Sequence, residues 1–169
     1  MIKVGIIGPE STGKTSLAKS LAEHYKVPWV PEYSREYLEK LDRPYVQSDL
    51  LEIARGQLNL ESEVAKRANG LLFLDTDLHV IRVWSEYKYG NCDPWILQQL
   101  HLSFCDIYFL TYHDIPYEDD PLRENPTERP QLFDIYEELA RERGLNYHIC
   151  KGSMDKRLNM AISHINALL

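Results

Sequence analysis

The stretch "GPESTGKT" at residues 8–15 decides which fold this chain can adopt. It matches the pattern G-x-x-x-x-G-K-[ST], whose glycines allow a tight turn that points backbone N–H groups at phosphates. The apolar run "MIKVGII" precedes it, and the following "KTSLAKSLAEHY" repeats apolar residues at helical spacing. A strand, a glycine-bearing loop and a helix are the context that a phosphate-binding P-loop requires.

The P-loop predicts which residues bind a nucleotide and its metal ion. Its N–H groups and the positive end of the following helix dipole would face the phosphates. We expect Lys14 to reach the β- and γ-phosphates and Thr15 to hold Mg²⁺. The residues predicted to contact ATP are Gly8, Glu10, Ser11, Thr12, Gly13, Lys14, Thr15 and Ser16. The alternative is a glycine-rich turn followed by a chance Lys-Thr pair. It is disfavoured because all four fixed positions of the pattern are matched.

Length, charge and cysteine usage limit the class of protein. We predict one domain over residues 1–169, with a sizeable core. The net charge of −7 argues against a nucleic-acid surface, which needs a basic patch. No apolar run approaches the roughly 18 residues of a membrane span. Cys92, Cys105 and Cys150 are widely spaced and form no C-x-x-C pair, so we expect reduced thiols in a cytoplasmic enzyme. The oligomeric state is left open.

Strand-like runs alternate with helical patterns along the whole chain. Strands are predicted at 2–7, 27–31, 71–75, 106–112 and 146–150, and helices at about 14–25, 32–42, 48–68, 77–89, 94–104, 131–143 and 153–169. This alternation predicts an α/β P-loop fold, with helices on both faces of a five-stranded parallel sheet. The polar, proline-rich residues 113–130 are long for a connection in a compact domain, so we expect a lid.

The carboxyl ends of the strands are where ligands bind in such sheets. Asp75 follows four apolar residues, as an acid of the Walker B type does, and would hold Mg²⁺ opposite Thr15. The alternative is a surface aspartate at a strand end. Asp77 would either cap the next helix or bind a substrate hydroxyl.

Acid and arginine side chains near the P-loop are candidates for phosphoryl transfer. Glu32 could accept the proton of an acceptor hydroxyl as that hydroxyl attacks the γ-phosphate, and Arg35 could clamp phosphate. Their alternative is a surface ion pair at i, i+3. Arg123 and Arg129 in the lid could reach the transferred phosphoryl group. Otherwise they pair with the acids of the lid itself.

A family resemblance rests on several stretches that occur in one order. They are "GPESTGKT", "PEYSREYLE", "DLLEIARGQLNLESEVAKRANG", "LLFLDTD" and "DDPLR…R". Over essentially its whole length, the chain resembles the ribosylnicotinamide kinase domain of a bifunctional bacterial NAD-biosynthesis regulator family. The resemblance implies that ATP and Mg²⁺ are used and that the γ-phosphate passes to the 5′-hydroxyl of nicotinamide riboside, a small-molecule nucleoside, to give nicotinamide mononucleotide. It assigns the substrate, phosphate and metal duties to Glu32, Arg35, Asp75, Asp77, Arg123 and Arg129.

The chain departs from this family at one aromatic position. The family often has an aromatic residue directly before the glutamate of "EYxRE", able to stack on the nicotinamide ring, and Pro31 stands there. On an alternating strand Trp29 points to the same side as Pro31. It therefore either takes over part of the stacking role of the family aromatic residue or lies in the core. Tyr33 and other aromatic residues, among them Tyr87, Tyr89 and Trp95, would line a pocket or fill the core. By analogy alone, residues 151–157 could approach the adenine.

A second class of function fits the P-loop equally well. A regulatory module or slow ATPase would use an acid near the γ-phosphate to orient water. A GTPase switch is disfavoured because the chain has no N-K-x-D motif for guanine. An acceptor pocket beside Glu32 would distinguish a kinase from a regulatory module.

Overall fold

The structure, a computed structural model, describes all residues from 1 to 169 and contains five strands and seven helices. The strands are β1 (Ile2–Ile7), β2 (Trp29–Val30), β3 (Leu71–Asp75), β4 (Ile107–Thr111) and β5 (Tyr147–Cys150). The helices are α1 (Lys14–Tyr25), α2 (Tyr33–Lys40), α3 (Gln47–Ala65), α4 (Leu78–Tyr89), α5 (Pro94–Leu102), α6 (Arg129–Glu142) and α7 (Met154–Asn166). The predicted alternation of strands and helices is confirmed.

All five strands pair in parallel in the order β2-β3-β1-β4-β5. The central strand β1 places Val4 opposite Phe73 of β3 and Ile107 of β4. These three side chains are at most 1% exposed, as expected for a parallel sheet covered on both faces. The P-loop therefore leaves the sheet at its centre, between neighbours whose carboxyl ends lie at the same edge.

Helices cover the sheet on both faces. On one face, α1 and α7 pack against β1, β3 and β4 through residues such as Leu17 and Ile165. On the other, α3, α4 and α6 contribute Val64, Val83 and Phe133 to a second cluster. A third cluster joins α3, α4 and α5, so α4 is held between the sheet and its helical neighbours.

Some boundaries differ from those predicted. Strand β2 has two residues rather than five, and α3 ends at Ala65 because residues 66–68 close as a tight turn with i to i−3 hydrogen bonds. Helix α6 begins at Arg129, since Pro130 suits the first turn of a helix. Residues 112–128 contain no helix or strand, so the predicted irregular segment is present, and its role as a lid stays a prediction.

The three cysteines are free thiols, as predicted, with Cys105 and Cys150 buried. None of the helices is both long and apolar enough to cross a membrane.

Candidate active site

The P-loop is shaped by two glycines with positive φ. Gly8 has φ 140°, and a Cβ there would lie 2.5 Å from the Oγ1 of Thr111. Gly13 has φ 84°, and a Cβ there would lie 2.9 Å from the Cδ1 of Ile115. Any larger residue would be strained in conformation and would clash, so the loop needs glycine at both ends. Helix α1 then begins at Lys14 with its N-terminus at the loop.

A cavity of about 580 Å³ opens at the carboxyl ends of the strands. It is lined by the whole P-loop from Gly8 to Ser16 and by Glu32, Arg35 and Arg123. The rest of its wall comes from α2, α4, α6, the lid segment (113–130) and Met154. One continuous cavity thus joins the predicted phosphate site to a second, more apolar region.

Four of the predicted residues converge beside the P-loop. The Oγ1 of Thr15 donates to the Oδ2 of Asp75 at 2.6 Å. Burial and then the charge of Glu32 raise the pKa of Asp75 to about 6. Desolvation lowers the pKa of Lys14, while the charge of Glu32 most strongly opposes that shift. Glu32 is therefore close enough to Lys14 and Asp75 to influence both, although the chain separates them widely.

The donor set beside Thr15 fits a Mg²⁺ ion. Asp75 is 1% exposed, and its Oδ1 is buried without a hydrogen-bond partner. A lone carboxylate and a hydroxyl are the ligands that Mg²⁺ takes in kinases, where substrate phosphates and water complete its octahedron. No cluster of three or more His, Cys, Asp or Glu forms an all-protein metal cage. The chemistry at this position thus matches a metal held jointly with a nucleotide.

Side chains of the P-loop tie the loop to the lid segment. The carboxylate of Glu10 accepts the backbone N–H groups of Glu124, at 3.2 Å, and of Asn125. The Oγ of Ser11 accepts the N–H of Glu118 at 2.9 Å. Glu10 and Ser11 both line the cavity, and their side chains also hold the lid segment, while their contact with a nucleotide stays a prediction.

Thr12 lies beneath the loop rather than facing the cavity with its side chain. It is completely buried, and its hydroxyl is 2.6 Å from that of Thr111. Because its hydroxyl is hydrogen-bonded to Thr111 of β4, only the backbone of Thr12 is left for the predicted nucleotide contact.

The three predicted arginines have different surroundings. Arg35 lines the cavity and pairs with Asp120 of the lid segment at 3.0 Å. Arg123 also lines the cavity, and its guanidinium donates to the carbonyl oxygen of Glu118. Arg129 does not line it, because its guanidinium donates to the carbonyl oxygens of Ser11 and Ile115, at 2.9 and 2.8 Å. Arg129 thus joins the P-loop to Ile115, and its contact with the transferred phosphate stays a prediction.

Two aromatic residues predicted to contact the substrate lie outside the cavity lining. Trp29 packs with the α1 and α7 cluster, and the Nζ of Lys19 lies 5.6 Å from the centre of its ring. Tyr33 lies against α3, where a Cβ on Gly56 would come within 1.9 Å of its ring. Trp29 thus lies half-buried against the core and Tyr33 half-buried against α3, and stacking of either ring on a substrate stays a prediction.

Asp77 serves as the cap of α4. Its carboxylate accepts the backbone N–H of His79 at 2.9 Å and contacts the Nδ1 of His79 at 2.8 Å and the hydroxyl of Tyr108 at 3.1 Å. It is 7% exposed and does not line the cavity. Of the two alternatives for Asp77, the geometry shows the cap, and the contact with a substrate hydroxyl stays a prediction.

The second region of the cavity was largely missed from the sequence. Helix α4 lines it with Val80, Val83, Trp84, Tyr87 and Lys88. These positions follow the i, i+3, i+4, i+7 spacing of one helix face, which is a signal that sequence reasoning could have used. The face was hard to assign because its apolar residues are equally typical of a core. Tyr87 lines the cavity, whereas Tyr89 and Trp95 pack on the third cluster.

The segment after β5 approaches the P-loop from the other side. Met154 lines the cavity, and its Cε would lie 3.2 Å from a Cβ on Gly13. Arg157 is completely buried and donates to the carbonyl oxygen of Thr12 at 2.7 Å. Of residues 151–157, Met154 thus lines the cavity and Arg157 supports the loop from below, and their approach to the adenine stays a prediction.

Comparisons with known proteins agree with this architecture. The model of the AAA_28 family, described as an AAA domain, matches residues 3–157. The trifunctional NAD biosynthesis/regulator protein NadR of Salmonella typhimurium is 23% identical, with 98% of this chain and 42% of that protein covered. The present chain thus spans about two fifths of this curated relative.

Solved structures extend the similarity. A crystal structure of NadR protein in complex with NR is 27% identical with a TM-score of 0.79, covering 98% of this chain and 51% of that one. A second, in complex with NAD and AMP-PNP, is 25% identical with a TM-score of 0.76, covering 98% and 49%. Thymidylate kinase from Ehrlichia chaffeensis, at 16% identity, has a TM-score of 0.68 and covers 97% and 98%. The last likeness shows the fold alone.

Proposed function

Because this chain belongs to the AAA_28 family of AAA domains and has the fold of P-loop nucleoside and nucleotide kinases, we propose that it is an ATP- and Mg²⁺-dependent nucleoside kinase. The proposed acceptor is nicotinamide riboside, whose 5′-hydroxyl receives the γ-phosphate. The observation that carries the proposal is the single cavity that runs from the P-loop, past Glu32, to the α4 face. A regulatory ATPase needs only the first part of that cavity, whereas a kinase needs a second pocket for its acceptor.

The nucleotide half of the reaction follows from the P-loop. Its N–H groups and Lys14 would hold the β- and γ-phosphates, with Met154 and Ile115 on the side of β5. Bound Mg²⁺ would be held through Thr15 and Asp75 and would neutralise phosphate charge. Arg35 and Arg123 are the two arginines of the wall that can add to this neutralisation. Phosphoryl transfer depends mainly on such positioning and charge stabilisation.

Glu32 is the proposed base. It follows β2, the edge strand beside β3, and lines the same cavity as the P-loop and the α4 face, so an acceptor bound there would present its hydroxyl to Glu32 and the γ-phosphate. The hydroxyl of Ser34 donates to its Oε1 at 2.8 Å, which holds the carboxylate at the helix start. In the proposed reaction the acceptor hydroxyl attacks the γ-phosphorus, its proton passes to Glu32, and ADP leaves.

The acceptor itself is proposed from the relatives and from the wall chemistry. A structurally similar NadR protein is in complex with NR, and another with AMP-PNP. The α4 side offers Trp84 and Tyr87 with Val80, Val83 and Leu38, which suits a flat ring. The ring of nicotinamide riboside carries a positive charge, and aromatic faces attract cations. This support comes from α4, since the family aromatic at position 31 is replaced by Pro31.

The decisive experiment measures ADP release with MgATP alone, with nicotinamide riboside, and with a panel of other nucleosides. We expect strong stimulation by nicotinamide riboside and formation of one nicotinamide mononucleotide per ADP. Stimulation by a different nucleoside would retain the kinase and replace the acceptor. Tight ATP binding without stimulation by any acceptor would contradict the kinase and favour the regulatory ATPase. Lys14→Ala should abolish turnover, whereas Lys66→Ala, at the C-cap of α3 and 65% exposed in its pair with Glu63, is the control.

A further inference from the structure

One residue of the lid segment contacts both the P-loop side and the α4 side of the cavity. The backbone N–H of Glu124 donates to the Oε2 of Glu10 at 3.2 Å. The side chain of Glu124 accepts from the hydroxyl of Tyr45 at 2.6 Å and from the Nζ of Lys88 at 3.0 Å. Glu124 and Lys88 both line the cavity. Glu124 thus contacts the P-loop with its backbone and α4 with its side chain.

The α4 end of this connection is held by Tyr45. The hydroxyl of Tyr45 accepts from the Nε1 of Trp84 at 3.0 Å and from the Nζ of Lys88 at 2.5 Å while it donates to Glu124. Burial, together with the hydrogen bond to Glu124, raises the pKa of Tyr45 to about 12, so the hydroxyl remains a donor at neutral pH. Trp84, Tyr45, Lys88 and Glu124 therefore form one hydrogen-bonded group, which we call the Tyr45 cluster.

The Tyr45 cluster lies towards the C-terminal end of α4, and its member Glu124 reaches back to the P-loop through its backbone. Helix α4 begins three residues after Asp75, and its cavity face runs from Val80 to Lys88. Eight residues at the helical rise span about 12 Å. A nucleoside whose 5′-hydroxyl lies near Glu32 can extend its sugar and base along this face. Its base would then pack on Trp84 and Tyr87, next to the cluster that holds Glu124.

We infer that Glu124 is a positioning residue that makes closure of the lid segment over the P-loop depend on a bound acceptor. A flat base packed against Trp84 fixes the ring whose N–H holds Tyr45, and Tyr45 in turn holds Glu124. The backbone of Glu124, with that of Asn125, meets the carboxylate of Glu10 in the P-loop. This inference rests on the proposed function, because it needs an acceptor on the α4 face.

If the inference is right, the lid segment affects how often the γ-phosphoryl group passes to the acceptor and how often it passes to water. A lid that closes properly only over an acceptor keeps water from the γ-phosphate when the acceptor is bound. Loss of the Glu124 side chain should weaken acceptor binding and let more ATP be hydrolysed for each acceptor phosphorylated. The ATP site itself keeps its P-loop contacts, so the KM for ATP should change little.

The test compares Glu124→Ala and Glu124→Gln with Asp119→Asn. Asp119 is an exposed acid of the lid segment with no hydrogen bond or ion pair, so its variant removes a charge and no contact. Glutamine keeps an acceptor for the Tyr45 hydroxyl and lacks the charge that pairs with Lys88, which separates the two contributions. Tyr45→Phe removes the hydroxyl at the other end of the same hydrogen bond. Thermal unfolding of each variant checks that the fold is retained.

For Glu124→Ala we expect the KM for nicotinamide riboside to rise about 10-fold, as loss of one charge-assisted hydrogen bond predicts. The ratio of ADP released to nicotinamide mononucleotide formed should rise several-fold, and the KM for ATP should stay within about twofold. Tyr45→Phe should change both quantities in the same direction, and Asp119→Asn neither. An unchanged ratio and acceptor KM, or a fall in kcat alone, would overturn the inference. A wild-type enzyme that phosphorylates no nucleoside would instead remove the proposed function, and the inference with it.

Discussion

The guanidinium of Arg157 donates to the carbonyl oxygen of Thr12 at 2.7 Å, and this contact joins the last helix to the P-loop. The same guanidinium donates to the carbonyl oxygens of Gly152 and Tyr112, at 2.9 and 3.0 Å, and to the carboxylate of Asp114. Arg157 is completely buried, and its bond to Thr12 lies away from water, whereas Asp114 stays partly open to solvent. A phosphate-binding loop near the start of the chain is therefore held in place by a residue near its end.

Replacement of this arginine should destabilise the whole domain. Arg157→Met would leave the carbonyl oxygens of Thr12, Gly152 and Tyr112 without their donor, and a buried polar group left without its partner costs about 1 to 3 kcal/mol. We expect a loss of that size in the free energy of unfolding, measured by chemical denaturation. Arg141→Met removes an arginine whose side chain is 67% exposed in its pair with Glu137, and should change the stability by less than about 1 kcal/mol. Equal effects of the two variants would contradict the supporting role of Arg157.

The metal requirement should depend on Asp75. Its Oδ2 accepts from Thr15 and its Oδ1 is buried without a partner, so Asp75→Asn removes the charge that would hold Mg²⁺ or its water. We expect the Mg²⁺ concentration for half-maximal activity to rise about 10-fold or more. Chelation with EDTA should abolish turnover of the wild type. Asp134→Asn, an exposed position on α6, is the control, and an unchanged Mg²⁺ titration for Asp75→Asn would place the metal elsewhere.

Replacement of the proposed base, Glu32, should lower kcat and leave ATP binding nearly unchanged. Glu32→Gln keeps the shape of the side chain and cannot take the hydroxyl proton, so kcat should fall about 100-fold. The KM for ATP should change by less than about threefold, because the P-loop is untouched. Glu36→Gln, one turn further along α2 and paired only with Lys40, should retain wild-type turnover. A normal kcat for Glu32→Gln would mean that another group accepts the proton, with Asp75 the next candidate.

Replacement of Trp84, on α4, and of Trp29, on β2, should have different effects on acceptor binding and on stability. Trp84 lines the cavity, so Trp84→Ala should raise the KM for the acceptor about 10-fold. Trp29 is half-buried against the α1 and α7 cluster, so Trp29→Ala should lower the free energy of unfolding by about 2 kcal/mol, less than for a fully buried aromatic. Its acceptor KM should stay unchanged, as measured below the unfolding temperature. A raised acceptor KM for Trp29→Ala would show that Trp29 contacts the acceptor, as the stacking hypothesis predicts.

Acid should weaken the fold through Asp49. The hydrogen bonds from Arg43, with those from Val46 and Tyr37, lower the pKa of Asp49 well below its usual range. A carboxylate whose pKa is depressed in the folded state stabilises the fold above its ordinary pKa of about 3.9 and loses that contribution as the pH falls below it.

The measurement is the free energy of unfolding between about pH 5 and pH 2 for the wild type and Asp49→Asn. We expect the wild type to be more stable at the upper end and the difference to shrink towards the lower end, because only the wild type must take up this proton. A difference that is constant with pH would show that the hydrogen bonds, and not the charge, stabilise this turn.

Local patterns were sufficient for the class of fold and for the phosphate end of the site. The P-loop spacing, the apolar strand before it and the alternation of strands and helices each depend on neighbouring residues. They therefore predicted the parallel sheet and the positions of Lys14, Thr15 and Asp75. The order of strands at the centre of the sheet then brings β1 and β3 side by side, which explains why an acid at residue 75 meets a threonine at residue 15.

The acceptor side was decided by tertiary structure. Trp29, Tyr33, Asp77 and Arg129 have side chains suited to a substrate, yet packing and capping place each of them outside the cavity lining. A sequence shows what a side chain can do, whereas its direction depends on which helix packs over which strand. Conversely, the α4 face and Glu124 form a wall only because the lid segment folds across it. The sequence by itself thus determined the nucleotide chemistry, which is local, while the arrangement of distant segments decided where an acceptor can bind.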